Sequence, residues 1–195
     1  CINASGRLDT AEHSLKLLCA KTREEAAKLA GDLKDLNESR KELTRQGEAK
    51  AIELVETSPL QNDKVLVVYL PDCHESLAGI IAGRLREHFH KPSFVLTRSE
   101  EGVKGSGRSI EAYSMYEELC KCKELMTKFG GHPMAAGLSL AGEEMIEPFR
   151  RALNDNSMLT EEDFVEKVVI DVPMPITYIT KNLIRQLSLL EPFGK

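Results

Sequence analysis

Lys64-Val65-Leu66-Val67-Val68-Tyr69-Leu70 is a nearly unbroken apolar run, the mark of a strand buried on both faces. Pro71-Asp72 then turns the chain, and residues 75–89 carry Leu77, Ile80, Ile81 and Leu85 at helical spacing. Lys91-Pro92 ends that helix, and residues 93–97 form a second strand. Strand, helix and strand make a βαβ unit, expected to be parallel and right-handed. Gly79 and Gly83 lie one helical turn apart. They allow the helix to pack closely on the sheet, although each costs up to about 1 kcal/mol of helix propensity.

Upstream of this unit, residues 3–7 read as a turn-like polar loop. Asp9 or Thr10 can cap a helix reaching residue 20, with Ala11, Leu15 and Leu18 at helical spacing. Thr22, with Glu25 three residues on, forms a capping box. A highly charged helix then runs to about residue 56, with Leu29, Leu33, Leu36 and Leu43 as a narrow stripe and Gly47 as a point of bending. A long helix with so thin a stripe can bridge two bodies or lie on the surface of one.

Downstream, Glu101-Gly102-Val103-Lys104-Gly105-Ser106-Gly107-Arg108 has a period of two if extended. Lys104, Ser106 and Arg108 then share one face, with Gly105 and Gly107 on the other. A cation, a hydroxyl and a guanidinium in a row suit a phosphate group; the same pattern also suits a glycine-rich hairpin with solvated charges. A helix over residues 115–126 follows, and then Phe129-Gly130-Gly131-His132-Pro133-Met134-Ala135-Ala136-Gly137. Adjacent glycines permit positive φ and close approach of backbone to a ligand. The plain alternative is a tight turn before a buried strand, with His132 a structural histidine. Residues 142–153 are an amphipathic helix, residues 165–172 a strand, and residues 180–190 a helix.

Composition narrows the function classes. With 195 residues, 42% hydrophobic and 29% charged, the chain can bury a globular core. The formal charge of -5 argues against a protein that coats nucleic acid generally, but leaves room for a local basic pocket. Trp is absent and aromatic residues make up 5%, so a surface stacking many bases is disfavoured. The odd count of five cysteines points to reduced thiols and a cytoplasmic protein. Cys73-His74 with Cys120 and Cys122 lacks the C-x-x-C spacing that structural zinc sites favour. No run of 18 apolar residues and no signal peptide is present, so no membrane partner is expected. The chain opens on Cys1 without an initiator Met and reads as an excised fragment.

Three stretches in order carry a resemblance: residues 2–8 (Ile-Asn-Ala-Ser-Gly-Arg-Leu), residues 104–109 (Lys-Gly-Ser-Gly-Arg-Ser) and residues 129–137. The chain resembles the C-terminal catalytic portion of the RecJ-type exonucleases of the DHH phosphoesterase superfamily. His74-Glu75 with Gly79-Ile80-Ile81-Ala82-Gly83-Arg84-Leu85 and the closing Glu191-Pro192-Phe193-Gly194 are similar to further segments of that family. The resemblance implies an α/β fold, with a mixed sheet and flanking helices (the DHH-associated domain) preceded by a long connector helix. It implies connector helices over residues 1–57, the substrate-binding domain over 58–157, and a strand–helix segment over 158–195 leading toward an OB-like domain.

The implied activity is single-strand-specific 5′→3′ DNA exonuclease action by the whole protein. Two divalent metals, manganese or magnesium, would be held by an Asp- and His-bearing lobe outside this chain, and no metal by this fragment, which alone would be inactive. The expected partner is single-stranded DNA with a 5′ phosphate, and the expected state of the whole protein is a monomer. Carried over by motif, Arg7 resembles the arginine that reaches the terminal phosphate, and Ser106 and Arg108 the pair that binds it. Gly130, Gly131 and His132 resemble the turn near the metals; Asn3 and Lys104 are auxiliary candidates. The segment around His74 departs from the family pattern, so His74 is expected to be structural. Two alternatives stand beside this reading. One is the second lobe of a phosphodiesterase for oligoribonucleotides or cyclic dinucleotides; the other is a non-catalytic nucleic-acid-binding module.

Overall fold

The computed structural model describes residues 2–8, 10–165, 170 and 172–193. The chain divides into two compact units, Cys1–Val165 and Glu166–Lys195. In the first, helices α1 (Ile2–Leu8), α2 (Glu12–Leu18) and α3 (Arg23–Glu56) precede a five-stranded sheet. The sheet consists of β1 (Leu66–Tyr69), β2 (Ser93–Ser99), β3 (Gly102–Arg108), β4 (Lys128–His132) and β5 (Ala135–Leu140), in the order β1-β2-β3-β5-β4. Helix α4 (Glu75–Phe89) joins β1 to β2, α5 (Met115–Lys121) lies between β3 and β4, and α6 (Ile146–Asn156) follows β5.

β1 and β2 are parallel, as the crossover helix requires, and the other pairs are antiparallel. The mixed α/β sheet with flanking helices and a long N-terminal helix is therefore the observed fold. The unbroken apolar character of residues 64–70 has a direct cause: β1 is covered on both sides. Leu66 and Val68 join Val95, Leu77, Ile81 and Leu85 in a core shared with Ala51 and Val55 of α3. Val65 and Val67 join Phe94, Leu96, Leu138, Phe149 and Leu153 in the opposite core, under α5 and α6. Cys73 packs against the first core and Cys122 belongs to the second, so they do not share a site.

Helix α3 runs 34 residues without interruption, about 50 Å. Thr22 caps it by accepting from the Glu25 amide at 3.1 Å, and the Glu25 carboxylate accepts from the Lys21 amide rather than closing the box on Thr22 itself. Gly47 does not break it. A Cβ there would stand 2.6 Å from Ile81 Cδ1, so the glycine lets α3 and α4 approach closely.

Several sequence readings need correction. Residues 3–7 belong to α1 rather than to a loop. Asn3, Ser5 and Gly6 are poor helix formers, but Ser5 is fully buried and its hydroxyl bonds Ser14 at 2.6 Å, while Ser14 donates to the Ile2 carbonyl at 2.8 Å. Tertiary contact overrides propensity here. The same contact turns α2 so that Ser14 faces inward, leaving Leu15 and Leu18 exposed at 61% and 71%. Residues 115–126 split into α5 and a 3₁₀ turn, Lys123–Leu125. The strand expected over residues 165–172 falls mostly outside the described residues. In the second unit, Thr180 caps α7 (Lys181–Ser188) by accepting from the Leu183 amide.

Candidate functional site

The registers of β3, β5 and β4 assemble one surface. Paired residues on neighbouring antiparallel strands point to the same face. Arg108 pairs with Ala135, and Ala135 with His132. Ser106 pairs with Gly137, and Gly137 with Gly130; Lys104 pairs with Ser139, and Ser139 with Lys128. Three rows thus share the face against which α4 packs. Their middle positions are Ala135, Gly137 and Ser139, so the floor is mostly backbone. A Cβ at Gly130 would meet nothing within 4 Å, and one at Gly137 only the Gly105 carbonyl at 3.8 Å.

The alternation expected for residues 104–108 holds. Gly105 and Gly107 face the other core, where a Cβ would press within 2.3 Å of Leu96 and 2.5 Å of Phe94 respectively. Their lack of side chains serves packing. The polar face is thereby left to Lys104, Ser106 and Arg108.

Arg108 donates to Ser106 Oγ at 3.3 Å and to the Gly107 carbonyl at 2.7 Å. Arg7 comes from α1, donating to the Ser76 carbonyl at 2.8 Å while the Ser76 hydroxyl donates to the Arg7 carbonyl at 2.7 Å. Among the described residues neither arginine has a carboxylate partner. Partial burial, then the charges of Arg7 and Arg86, lower the Arg108 pKa. Burial is the larger cause; the smaller part, repulsion from Arg7 and Arg86, marks positive charge gathered in one place, which an incoming anion relieves. Lys104 is different: its ammonium bonds Glu75 at 2.8 Å, which raises its pKa.

Gly79 has a more specific role than helix–sheet packing. A Cβ there would lie 2.8 Å from Arg108 Nη2 and 2.9 Å from Ser106 Oγ. The missing side chain makes room for the guanidinium. Together with Ser76 and Arg86, Gly79 was not singled out for the site from sequence; its spacing with Gly83 was the visible signal.

The Gly-Gly-His segment is not the turn. Gly130, Gly131 and His132 end β4, and Pro133-Met134 is the two-residue connection to β5. Ser109 and Met115 amides bond the Met134 and Pro133 carbonyls at 2.9 and 3.0 Å, anchoring that connection. Gly131 has φ +155°, and a Cβ would meet the Ala135 carbonyl at 2.4 Å, so only glycine fits. It pairs with Ala136, on the face opposite Gly130. His132 is exposed, and its Nδ1 accepts from the Met134 amide at 3.3 Å. It stands two strand spacings from Arg108, about 10 Å across the same face. Arg7, Ser106 and Arg108 thus cluster, and Gly130 and His132 line the far side of the same surface. Asn3 is exposed on α1, and among the described residues no side-chain hydrogen bond links it to the cluster. His74 caps α4, with Nδ1 3.3 Å from the Ser76 amide.

Among the described residues no group of three or more His, Cys, Asp or Glu could hold a metal ion. Nor is any helix among them long and apolar enough to cross a membrane. These residues do not fit a metal centre, and no metal-dependent step can be derived from them.

Comparison with known proteins defines the class. Residues 62–157 match the DHHA1 domain, so the chain carries a DHHA1 domain. Over nearly its whole length it is a relative of the single-stranded-DNA-specific exonuclease RecJ. It is 36% identical to that protein of Bacillus subtilis, covering 99% of this chain and 25% of the relative. Against that of Escherichia coli it is 34% identical, covering all of this chain and 35% of the relative. The crystal structure of RecJ in complex with Mg2+ from Thermus thermophilus superposes with a TM-score of 0.85 at 30% identity, covering 99% of this chain and 30% of that one. A RecJ structure bound to manganese gives 0.69 at 31% identity, covering 79% of this chain and 38% of that one. The chain spans about a quarter to a third of the length of these curated relatives.

Proposed function

We propose that this chain is the nucleic-acid-gripping lobe of a single-strand-specific 5′→3′ DNA exonuclease. Ser106 and Arg108, joined by Arg7, hold the terminal 5′ phosphate, and the glycine-floored face out to Gly130 and His132 receives the nucleotide behind it. The observation that carries this reading is the arginine cluster: two guanidiniums without carboxylate partners among the described residues, beside a serine hydroxyl, with Gly79 leaving the space that the Arg108 guanidinium occupies. Such a set offers a bidentate fork and a hydroxyl to one phosphate. Two divalent metals in a lobe outside the described residues supply the hydrolytic chemistry, while this lobe positions the strand. The RecJ structures with Mg2+ and manganese support a need for divalent metal in the intact protein.

The test uses the intact protein with manganese on long single strands bearing a 5′ phosphate or a 5′ hydroxyl. The expected result is release of mononucleotides from the phosphorylated strand, with the hydroxyl strand cleaved at least tenfold more slowly. Equal cleavage of both strands overturns the phosphate role. Hydrolysis confined to dinucleotides moves the chain to the oligonucleotide phosphodiesterases. The isolated chain binds 5′-phosphorylated strands weakly and in a salt-sensitive way, and does not cut them.

Gly79→Ala separates this role from folding. Alanine is favoured over glycine inside a helix by up to about 1 kcal/mol, and the atoms it meets are side-chain ends, Arg108 Nη2 and Ser106 Oγ, rather than backbone. Thermal melting is therefore expected to stay the same or rise, while affinity for a 5′-phosphorylated strand falls about tenfold as the fork is displaced. Unchanged affinity would remove Gly79 from the site.

A further inference from the structure

A cavity of about 380 Å³ opens on the same sheet face, lined by Glu75, Thr97, Lys104, Lys128, Gly137 and Ser139 among others. Sites for small organic ligands run from about 300 to 1,000 Å³. One wall holds an anomaly. Thr97 is fully buried and its Oγ1 has no hydrogen-bond partner among the described residues. Buried hydroxyls are almost always paired, so the cavity presents a polar atom waiting for a partner. Lys104 and Lys128 stand at opposite sides of the row, with Ser139 between them in register. That row lies one strand repeat, about 6.7 Å, from the row of Ser106.

We infer that this cavity takes the nucleobase of the terminal nucleotide, the one whose phosphate Ser106 and Arg108 hold. The inference rests on the phosphate reading above. A base is favoured over a second phosphate for two reasons. Gly137 leaves a bare floor on which a flat ring can lie. The lining also mixes donors, the ammoniums and hydroxyls, with the Glu75 carboxylate, which sits 2.8 Å from Lys104 and repels a further anion. Base edges present donors and acceptors side by side. Thr97 and Ser139 read that edge, and Lys128, which makes no ion pair among the described residues, closes over it.

Thr97→Val decides between a ligand contact and a structural hydroxyl, because the two residues have the same shape. Removing an unpartnered buried hydroxyl leaves the fold as stable as before, or more so. In the intact protein, Thr97→Val is expected to raise KM about fivefold on a 5′-phosphorylated strand with a normal first nucleotide. On a 5′-phosphorylated strand whose first nucleotide is abasic, native and variant proteins are expected to behave alike. Lys128→Gln, at an exposed position, is expected to show the same base-dependent loss. If the native protein cleaves normal and abasic strands equally, or Lys128→Gln weakens both equally, the base pocket is overturned. A preference for 5′ phosphate over 5′ hydroxyl that survives this result leaves the phosphate reading standing. Loss of that preference defeats the phosphate reading instead.

Discussion

Arg108→Ala in the intact protein is expected to lower kcat/KM on 5′-phosphorylated single strands about a hundredfold, and to leave the slow cleavage of 5′-hydroxyl strands unchanged. The guanidinium is half-buried, lies under α4 beside Gly79, and among the described residues hydrogen-bonds only Ser106 and the Gly107 carbonyl. Little folding energy rests on it. Thermal melting should therefore stay near native, which separates lost substrate positioning from lost structure. On the proposed reading the terminal phosphate lies away from the bond being cut, so its binding energy serves to hold that bond in place, and kcat is expected to fall along with rising KM. Arg108→Lys is expected to recover only a small part, because an ammonium keeps the charge but not the planar pair of donors. Native activity in Arg108→Ala would defeat the assignment of the phosphate pocket.

The largest expected effect on stability is at Phe94. Phe94→Ala is expected to cost about 3–5 kcal/mol in urea unfolding. The ring is fully buried in the core beneath α5 and α6, meets Phe149 edge-on with centroids 5.6 Å apart, and fills the space that Gly107 leaves. A Cβ at Gly107 would stand 2.5 Å from the Phe94 ring and 2.7 Å from Met115 Sδ. Gly107→Ala alone should therefore be destabilising by overpacking. Combined with Phe94→Leu it should cost less than the two changes summed, since each relieves the other. Simple additivity would mean the two positions do not share one packing site.

The polar face of β3 was legible in the sequence because a strand has a strict period of two, so Lys104, Ser106 and Arg108 could be placed together before any pairing was known. The βαβ unit was legible for a similar reason: a strand covered on both faces leaves an unbroken apolar run. The helical state of residues 2–8 was not legible. It depends on the Ser5–Ser14 contact, which no local pattern records. The place of Gly130 and His132 was only half legible. Their sequence suggests a turn, and only the register of β4 against β5 shows a strand with the turn displaced to Pro133-Met134. The orphan hydroxyl of Thr97 was invisible, because its neighbours in sequence read as an apolar strand and it emerges only from three-dimensional packing.

β4 is the last strand of the sheet, and among the described residues nothing pairs with its outer side. An open edge is a template on which other chains can assemble into aggregates. This one carries two consecutive glycines, which are weak strand formers, and begins with an exposed lysine, whose charge opposes stacking of copies. Bulky β-branched residues at Gly130 and Gly131 would turn the margin into a sticky, self-templating ribbon, so solubility constrains these two positions independently of any catalytic demand.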